Sequence, residues 1–537
     1  MAHTTTRRRA AASIGILLAA AAIPTIAQAK PSAAGCDNRN PNQTDKFLAC
    51  VDGDGVFTHL QALQDIADAN GGTRASGTPG YDASADYVAG LLEGAGYTVT
   101  RQVFDFSTFE EVSVSLTADG APVDAQTMSY SGSGAVTDGD VIPVDLDLGL
   151  GNASTSGCEA SDFDGLDFSG DRDIALIQRG ACAFGDKAVN ATEAGAEAVI
   201  IFNQGNADGR FAIINGTLGE DVIGVVDIPV LDVSYDDGVA LIDATGVSLS
   251  AETVIETKTT QNVIADLEGV DPDNVVMAGA HLDSVLEGPG IEDNGTGSAS
   301  ILTVALAMAN PKYTPQNSLR FAWWGAEEAG LIGSEKYIFD PEFGISDEDY
   351  AALAAYLNFD MVGSPNFVYG VYDADESSFP APVPVPEGSA ELEDLFEAYY
   401  SLNDVPYDDS EFSGRSDYDA FISVGIPASG LFTGAEEIKT ERQQEIWGGI
   451  AGEQFDQCYH EPCDTIDNVS REAIEVNVDA IAYAMYNLAA STEAVNGVEG
   501  VAVKGTTPEQ VELDGPQGTF IDGVNDGGLH ADHAVAS

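Results

Sequence analysis

The strongest constraint on the fold is an alternation of strand and helix patterns between residues 275 and 363. The strand patterns lie in VVMAGAHLDSV, SLRFAWWGAE and AAYLNFDMVG, and the helical pattern between the first two is ASILTVALAMA. This alternation predicts an α/β protein with a mixed, mostly parallel sheet flanked by helices. In sheets of this type, functional residues are expected at the carboxyl ends of the strands.

A histidine and two aspartates follow the first of these strands. His281 comes directly after the apolar run VVMAGA, and Asp283 is placed to accept a hydrogen bond from its far imidazole nitrogen, as carboxylates do behind metal-bound histidines. Asp293 lies in a glycine-rich turn that opens the next helix, where its two oxygens can bridge two cations. The alternatives are a hydrogen-bonded core histidine and an aspartate that caps the helix.

Two adjacent glutamates, Glu327 and Glu328, follow the second strand. Successive residues there point in different directions, so the two side chains are not expected to bind the same metal ion directly. One can bind a metal while the other reaches the water that the metal activates, a division that suits metal-assisted hydrolysis. Asp360 ends the third strand. A solvated acidic turn and a strand-terminating aspartate are the alternative interpretations.

A second histidine stands between two cysteines in the segment CYHEPCDT. A disulfide between Cys458 and Cys463 would hold the imidazole of His460 in place, whereas structural zinc bound by these two cysteines is the alternative. Together with the strand-end residues, this histidine gives a set of nitrogen and oxygen ligands that suits zinc.

The beginning of the chain predicts export. Three arginines, Arg7 to Arg9, precede an apolar run that ends in an A-x-A cleavage pattern at Ala27 to Ala29, which is typical of a signal peptide over residues 1–29. A membrane anchor is the alternative, but the run is shorter than the ~20 residues that a span needs. A twin-arginine signal stays open. We expect a secreted protein, extracellular or periplasmic, with no stable membrane insertion.

The six cysteines fall into three pairs that are close in sequence. In a secreted chain an even number of cysteines in such pairs predicts disulfides. The expected bonds are Cys36 to Cys50, Cys158 to Cys182 and Cys458 to Cys463.

The net charge is −67, from 88 acidic and 21 basic residues. This charge excludes nucleic acid and anionic membranes as expected partners. The hydrated acidic surface indicates either a saline habitat or ordinary solubility.

One stretch in the middle of the chain resembles a known domain. Between about residues 137 and 254, an RGACAF turn and a strand-helix-strand unit resemble a protease-associated (PA) domain. The matching residues are Arg179, Gly180, Cys182, Phe184, Lys187, Ala191, Gly195 and Ala196. Five segments are therefore predicted along the chain. They are the signal peptide (1–29), the first part of the main domain (30–136), the β-rich PA insertion (137–254), the rest of the main domain (255–494) and a flexible tail (495–537).

Five motifs in this order resemble those of secreted zinc aminopeptidases of the aminopeptidase Y and bacterial leucyl aminopeptidase type. They are HLDS, GIEDNGTGS, WWGAEEAGLIGS, LNFDMVG and CYHEPCDT. The resemblance implies a zinc exopeptidase fold and two Zn²⁺ per chain. It makes His281 and Asp360 ligands of one zinc, Glu328 and His460 ligands of the other, and Asp293 the bridge.

The same resemblance implies roles for three further residues. Glu327 becomes the general base, Tyr459 an oxyanion donor and Arg415 a substrate-binding residue. Glu292 stands where the family often has an aspartate, which leaves the set of ligands intact.

The expected function is a secreted two-zinc aminopeptidase that acts on peptides and proteins with a free N-terminus. A carboxypeptidase or dipeptidase of the same fold is the main alternative, and it would need basic residues such as Arg415 and Arg320 to hold a substrate carboxylate. A glutaminyl cyclase uses one zinc, and a non-catalytic binding protein would lack ligands. The set of five ligands argues against both.

Overall fold

The structure, a computed structural model, describes residues 36, 40–206, 210–214, 216–341, 343–381, 384–504 and 508–518. The predicted signal peptide lies outside these residues, as do His3, His530 and His533. Within them, no helix has both the length and the apolar character needed to cross a lipid bilayer.

Strands of the described residues join in one mixed sheet of fourteen. They are β1 (Thr98–Ala118), β2 (Ala121–Val123), β3 (Gln126–Thr127), β4 (Gly134–Pro143), β5 (Asp173–Gln178), β6 (Ala198–Phe202), β7 (Val230–Val233), β8 (Val247–Leu267), β9 (Asp271–His281), β10 (Asn317–Trp324), β11 (Leu353–Phe359), β12 (Gly370–Tyr372), β13 (Asp408–Ser410) and β14 (Ala428–Phe432). Their order is β13-β12-β14-β11-β9-β10-β8-β4-β5-β6-β7-β3, with β1 pairing β8 and β2.

The centre of the main domain is parallel, which confirms the predicted fold class. β10 and β11 both pair with β9 in parallel, and β11 pairs with β14 in the same way. Antiparallel pairs lie on either side, between β10 and β8 and between β14 and β12. The PA part has its own parallel run, β4-β5-β6-β7.

Helices cover both faces of the sheet. They are α1 (Thr44–Leu48), α2 (Gly53–Ala69), α3 (Pro79–Ala95), α4 (Phe184–Ala194), α5 (Tyr235–Leu241), α6 (Gly297–Met308), α7 (Ile332–Phe339), α8 (Asp347–Ala352), α9 (Ser389–Leu402), α10 (Tyr418–Ser423), α11 (Glu441–Trp447), α12 (Arg471–Ala490) and α13 (Glu493–Asn496). Neighbouring residues of β10 show the two faces. Trp323 packs in the core beneath α2, α3, α6 and α12, whereas Trp324 packs with Tyr356 and Phe421 on the other face.

Helix ends agree with local sequence signals. The Asp52 side chain accepts from the N–H of Gly55 at the start of α2, and Thr78 caps α3, where Pro79 takes the first turn. α3 stops at Gly96, whose φ of 101° lies in the left-handed region that favours glycine.

A long two-stranded ribbon joins the main and PA parts. β1 and β8 are 21 residues each and pair from Thr98 with Asp266 to Thr117 with Ser248. The predicted domain boundaries at 136/137 and 254/255 lie inside β4 and β8. These strands continue without a break at the boundaries, so the sequence contains no turn signal there. Tyr130 packs in the hydrophobic core of the PA part, and its hydroxyl donates to the Ala329 carbonyl of the main domain at 3.3 Å.

The predicted flexible tail needs correction over residues 495–504 and 508–518. The N–H of Val501 donates to the Ala490 carbonyl at 2.9 Å, and that of Gln517 donates to the Tyr407 carbonyl at 2.9 Å. Main-chain hydrogen bonds to the body hold this part of the chain without apolar periodicity, which is why the sequence pattern did not predict its order.

Candidate metal centre

Four of the predicted residues lie where the parallel strands end. His281 is the last residue of β9, Asp360 follows β11, and Glu327 and Glu328 lie in the turn after β10. Since β10 and β11 both pair with β9 in parallel, their carboxyl ends meet at one edge of the sheet. His281 is 1% exposed and Glu327 8%, so this edge is buried.

Asp293 lies between the two imidazoles. Its Oδ1 is 3.1 Å from Nε2 of His281, and its Oδ2 is 3.2 Å from Nε2 of His460. The residue belongs to the irregular turn Ile291–Thr296 that precedes α6. The structure therefore brings two histidines that are far apart in sequence to opposite oxygens of one carboxylate.

Each imidazole also faces a second carboxylate. Asp360 Oδ1 lies 3.1 Å from Nε2 of His281, and Glu328 Oε2 lies 3.1 Å from Nε2 of His460. Oε2 of Glu327 is more distant, at 3.9 Å from Nε2 of His281. The two adjacent glutamates thus approach different histidines.

The spacing of these atoms fits zinc. Zinc bonds of about 2.0–2.1 Å at tetrahedral angles place neighbouring ligand atoms about 3.3 Å apart. The nitrogen–oxygen distances here are 3.1 to 3.2 Å. Oε1 of Glu328 is buried and has no hydrogen-bond partner among the described residues. Buried polar atoms normally have a partner, so an ion is a suitable one for this oxygen.

The electrostatics of the site favour a cation. Burial raises the pKa of Glu328 to about 7, and the neighbouring Asp293 carboxylate adds to this. Burial also raises the pKa of Glu327 well above its usual range. Burial alone would lower the pKa of His460, but Glu328 and Asp293 outweigh it and raise the pKa to about 11. A bound cation would stabilise all these carboxylates in their charged form.

Two oxygens of Asp283 face the ring of His281. Nδ1 of His281 lies 3.2 Å from the main-chain carbonyl oxygen of Asp283 and 3.7 Å from its carboxylate Oδ1. Either oxygen can accept from an N–H at Nδ1, and a proton there leaves Nε2 to bind a metal. The Asp283 carboxylate also accepts from the N–H of Glu327 at 3.3 Å. Its role behind a metal-bound histidine stays a prediction.

Two positioning residues were missed in the sequence. Ser416 donates its hydroxyl to Oδ2 of Asp360 at 2.7 Å. The two carboxylate oxygens of Asp464 accept from the N–H groups of Glu292 at 2.8 Å and Asp293 at 3.0 Å. Asp464 stands in the CYHEPCDT motif, so its proximity to His460 was the available signal.

Arg74 is the third missed residue and is fully buried. Its guanidinium donates to the carbonyl oxygens of Leu282, Pro289 and Gly290, so it fixes the loop between the first histidine and the bridging aspartate. It lies more than 200 residues before this loop and no motif surrounds it, so the sequence held no signal for its role.

Arg415 and Tyr459 form one unit at the edge of the site. Nη1 of Arg415 lies 2.8 Å from Oε1 of Glu436, a residue missed in the sequence. Its Nη2 donates to the hydroxyl oxygen of Tyr459 at 3.3 Å. The Tyr459 ring stacks on the His460 ring, with centroids 3.9 Å apart. The contacts of Arg415 thus position Tyr459, and its predicted contact with substrate stays a prediction.

Three disulfides are present, Cys36–Cys50, Cys158–Cys182 and Cys458–Cys463, in the expected pairs. The last encloses Tyr459 and His460. The backbone of His460 has a φ of 58°, in the left-handed region, which a short closed loop helps to maintain.

Arg320 and His59, the remaining histidine of the described residues, have partners other than the five proposed ligands. Arg320, considered for a substrate carboxylate, forms ion pairs with Asp266 at 2.6 Å and Asp349 at 3.3 Å. His59 lies on α2, where its Nδ1 is 2.7 Å from the Tyr87 hydroxyl.

Comparison with known proteins agrees with this geometry. Residues 262–485 match peptidase family M28, and residues 137–241 match the PA domain family. An aminopeptidase of Pseudomonas aeruginosa strain PAO1 is 47% identical over 458 residues, which cover 83% of each chain. The probable lipoprotein aminopeptidase LpqL of Mycobacterium tuberculosis is 42% identical over 84% of this chain and 88% of its own.

Solved structures are similar as well. The aminopeptidase from Aneurinibacillus sp. strain AM-1 has a TM-score of 0.63 and 26% identity, and the match covers 86% of this chain and 98% of that one. BSAP, a zinc aminopeptidase from Bacillus subtilis, shares the fold, with a TM-score of 0.51, 23% identity and coverage of 86% of this chain and all of its own.

Proposed function

The chain belongs to peptidase family M28, with a PA domain inserted, and we propose that it is a two-zinc aminopeptidase that removes N-terminal residues from peptides and proteins. The central observation is the position of Asp293, whose two oxygens each approach one histidine. That arrangement suits two cations that share one carboxylate.

The proposed ligands divide into two sets around this bridge. His281 and Asp360 would hold one zinc, and His460 and Glu328 the other, each pair with a nitrogen–oxygen distance of 3.1 Å. Zinc at these sites would supply Lewis-acid polarisation of the scissile carbonyl and a water of lowered pKa. The remaining steps depend on residues of the chain itself.

Glu327 is the proposed general base. Its carboxylate lies close to His281 but beyond the 3.1 Å of the proposed ligands, and its N–H is fixed by Asp283. Burial raises its pKa and so strengthens it as a base, and the cations beside it would keep the carboxylate ionised and able to accept a proton. It would take a proton from the attacking water and deliver it to the leaving amine.

Tyr459 is the proposed hydrogen-bond donor to the carbonyl oxygen of the substrate, which gains negative charge when water attacks. Since Arg415 donates to its hydroxyl oxygen, the O–H hydrogen remains available for the substrate. Burial raises the pKa of Tyr459 well above its usual range, so the hydroxyl keeps its proton. A donor held in advance by Arg415 can stabilise the developing charge without rearranging.

The surroundings favour a free substrate amine over a free carboxylate. Both arginines considered for a carboxypeptidase have acidic partners, Glu436 for Arg415 and Asp266 for Arg320. A free α-amine would instead be held by the second zinc and the carboxylates beside it. Export is part of the proposal, because three disulfides indicate an oxidising compartment.

The test compares three substrates with the zinc-loaded protein: leucine anilide, N-acetyl-leucine anilide and an N-blocked dipeptide with a free carboxyl terminus. We expect rapid cleavage of the first alone. Cleavage of the blocked dipeptide would indicate a carboxypeptidase, and cleavage of none would favour a binding protein.

A further inference from the structure

A second group of buried carboxylates lies at the edge of the sheet, where β13 is the third strand beyond β11 of the metal centre. Glu393 and Glu397 stand one turn apart on α9, and Asp409 lies on the edge strand β13. They are 3%, 7% and 7% exposed. One oxygen from each lies within 4.8 Å of the others, and Asp373 and Asp375 form an overlapping group with Glu393.

One oxygen in this group is buried without a partner. Oδ2 of Asp409 accepts from the hydroxyls of Ser377 and Ser378, whereas its Oδ1 has no hydrogen-bond partner among the described residues. Glu393 accepts through Oε2 from the N–H groups of Ala374 and Asp375. These donors leave Oδ1 of Asp409 to be satisfied by something else.

The charges around the three carboxylates increase the need for a cation. Burial raises the pKa of Glu393 to about 9 and that of Glu397 to about 8, and each carboxylate raises that of a neighbour. The other charged groups with the largest effect on them are aspartates, namely Asp373, Asp375, Asp394 and Asp408. Like charges one helical turn apart destabilise a helix unless a counter-charge is present.

We propose that Glu393, Glu397 and Asp409 bind one calcium ion, with Asp373 and Asp375 beside it. Calcium takes six to eight oxygen ligands at about 2.3–2.6 Å, so opposite ligands lie up to about 5 Å apart, which agrees with the spread of these oxygens. The absence of nitrogen and sulfur from the group argues against zinc. Magnesium needs a tighter octahedron and keeps most of its waters.

This ion would join three elements that are separate in sequence. It would connect α9 to the edge strand β13 and to the turn after β12, where Asp373 accepts from the N–H groups of residues 377–379. We infer a structural site that stabilises the edge of the sheet and takes no part in the peptidase chemistry.

The test measures Ca²⁺ binding to the full-length, zinc-loaded protein by equilibrium dialysis. The solution contains about 1 M NaCl, where a Debye length of about 3 Å suppresses counterion binding to the acidic surface. We expect one bound Ca²⁺ per chain that Mg²⁺ does not displace at equal concentration. Glu397→Gln and Asp409→Asn should each weaken binding about 100-fold or more. Glu391→Gln, at an exposed position on the same helix, is the matched control and should keep the site.

Melting measurements distinguish calcium binding from a merely protonated cluster. Calcium should raise the melting temperature of wild type and Glu391→Gln by several degrees and should leave the melting temperatures of Glu397→Gln and Asp409→Asn unchanged. Zinc content shows that each variant is folded. The proposal is overturned if wild type binds no Ca²⁺ under these conditions, or if both cluster variants bind it as tightly as the control. A Glu397→Gln protein more stable than wild type in saturating calcium would also contradict it.

Discussion

Replacing Glu327 by glutamine separates the role of a base from that of a ligand. Oε2 of Glu327 lies 3.9 Å from Nε2 of His281, whereas the proposed ligand Asp360 lies at 3.1 Å. We therefore expect Glu327→Gln to keep both zinc ions. The amide preserves the shape of the side chain but cannot accept a proton, so kcat should fall about 10² to 10⁴-fold, or roughly 3 to 5 kcal/mol of barrier, with little change in KM.

Glu328→Gln is the comparison variant for this experiment. It replaces an anionic group 3.1 Å from Nε2 of His460 by a neutral one, so one zinc should bind more weakly and excess zinc should restore part of the activity. Zinc content, kcat and KM are measured for both variants, and circular dichroism and melting show that both are folded. If Glu327→Gln loses zinc while Glu328→Gln keeps it and loses only turnover, the two roles are reversed. Full activity in both places the site elsewhere.

Three further predictions follow from other parts of the structure. Excision of residues 109–255, with Asn-Gly joining Thr108 to its cross-strand partner Glu256, should leave a folded peptidase that still cleaves a small anilide, because none of the proposed metal ligands lies in this segment. Complete loss of that activity in folded protein would refute this. Burial lowers the pKa of His59 from 6.5 to about 4 in the folded protein. The unfolded chain therefore binds the proton more tightly, and the free energy of unfolding decreases as the pH falls from 6.5 toward 4. Between pH 7 and 5, wild type should lose about 2 kcal/mol more than His59→Asn in urea unfolding, and equal losses would contradict the assignment. Arg74→Met should cost about 3 to 5 kcal/mol and lower the melting temperature, since it removes the side-chain donor of three buried carbonyls, and an unchanged melting temperature would argue against that role.

The sequence predicted much of the site because the relevant residues follow apolar strands. A strand ending in His281 or Asp360 can be identified from its pattern, and parallel pairing brings such ends together. The division of Glu327 and Glu328 followed from the alternation of side chains in a strand. These predictions depended on local patterns and on one general property of parallel sheets.

Contacts between distant segments could not be predicted in this way. Arg74 acts on a loop more than 200 residues away, and Ser416 on a carboxylate 56 residues before it. Whether the carbonyl or the carboxylate of Asp283 lies nearer the His281 ring depends on how the chain bends after β9, which no local pattern indicates. The ordered contacts of residues 508–518 likewise depend on main-chain donors that no side-chain pattern reveals.

The zinc content of the active protein tests the central claim most directly. Metal analysis of protein purified without chelator, with anilide hydrolysis measured on the same samples, should give two zinc ions per chain. Removal of zinc by a chelator should abolish hydrolysis, and zinc should restore it. Asp293 and the four proposed ligands around it predict this result. Fully active protein with one zinc per chain, or with none, would contradict the proposed two-metal mechanism.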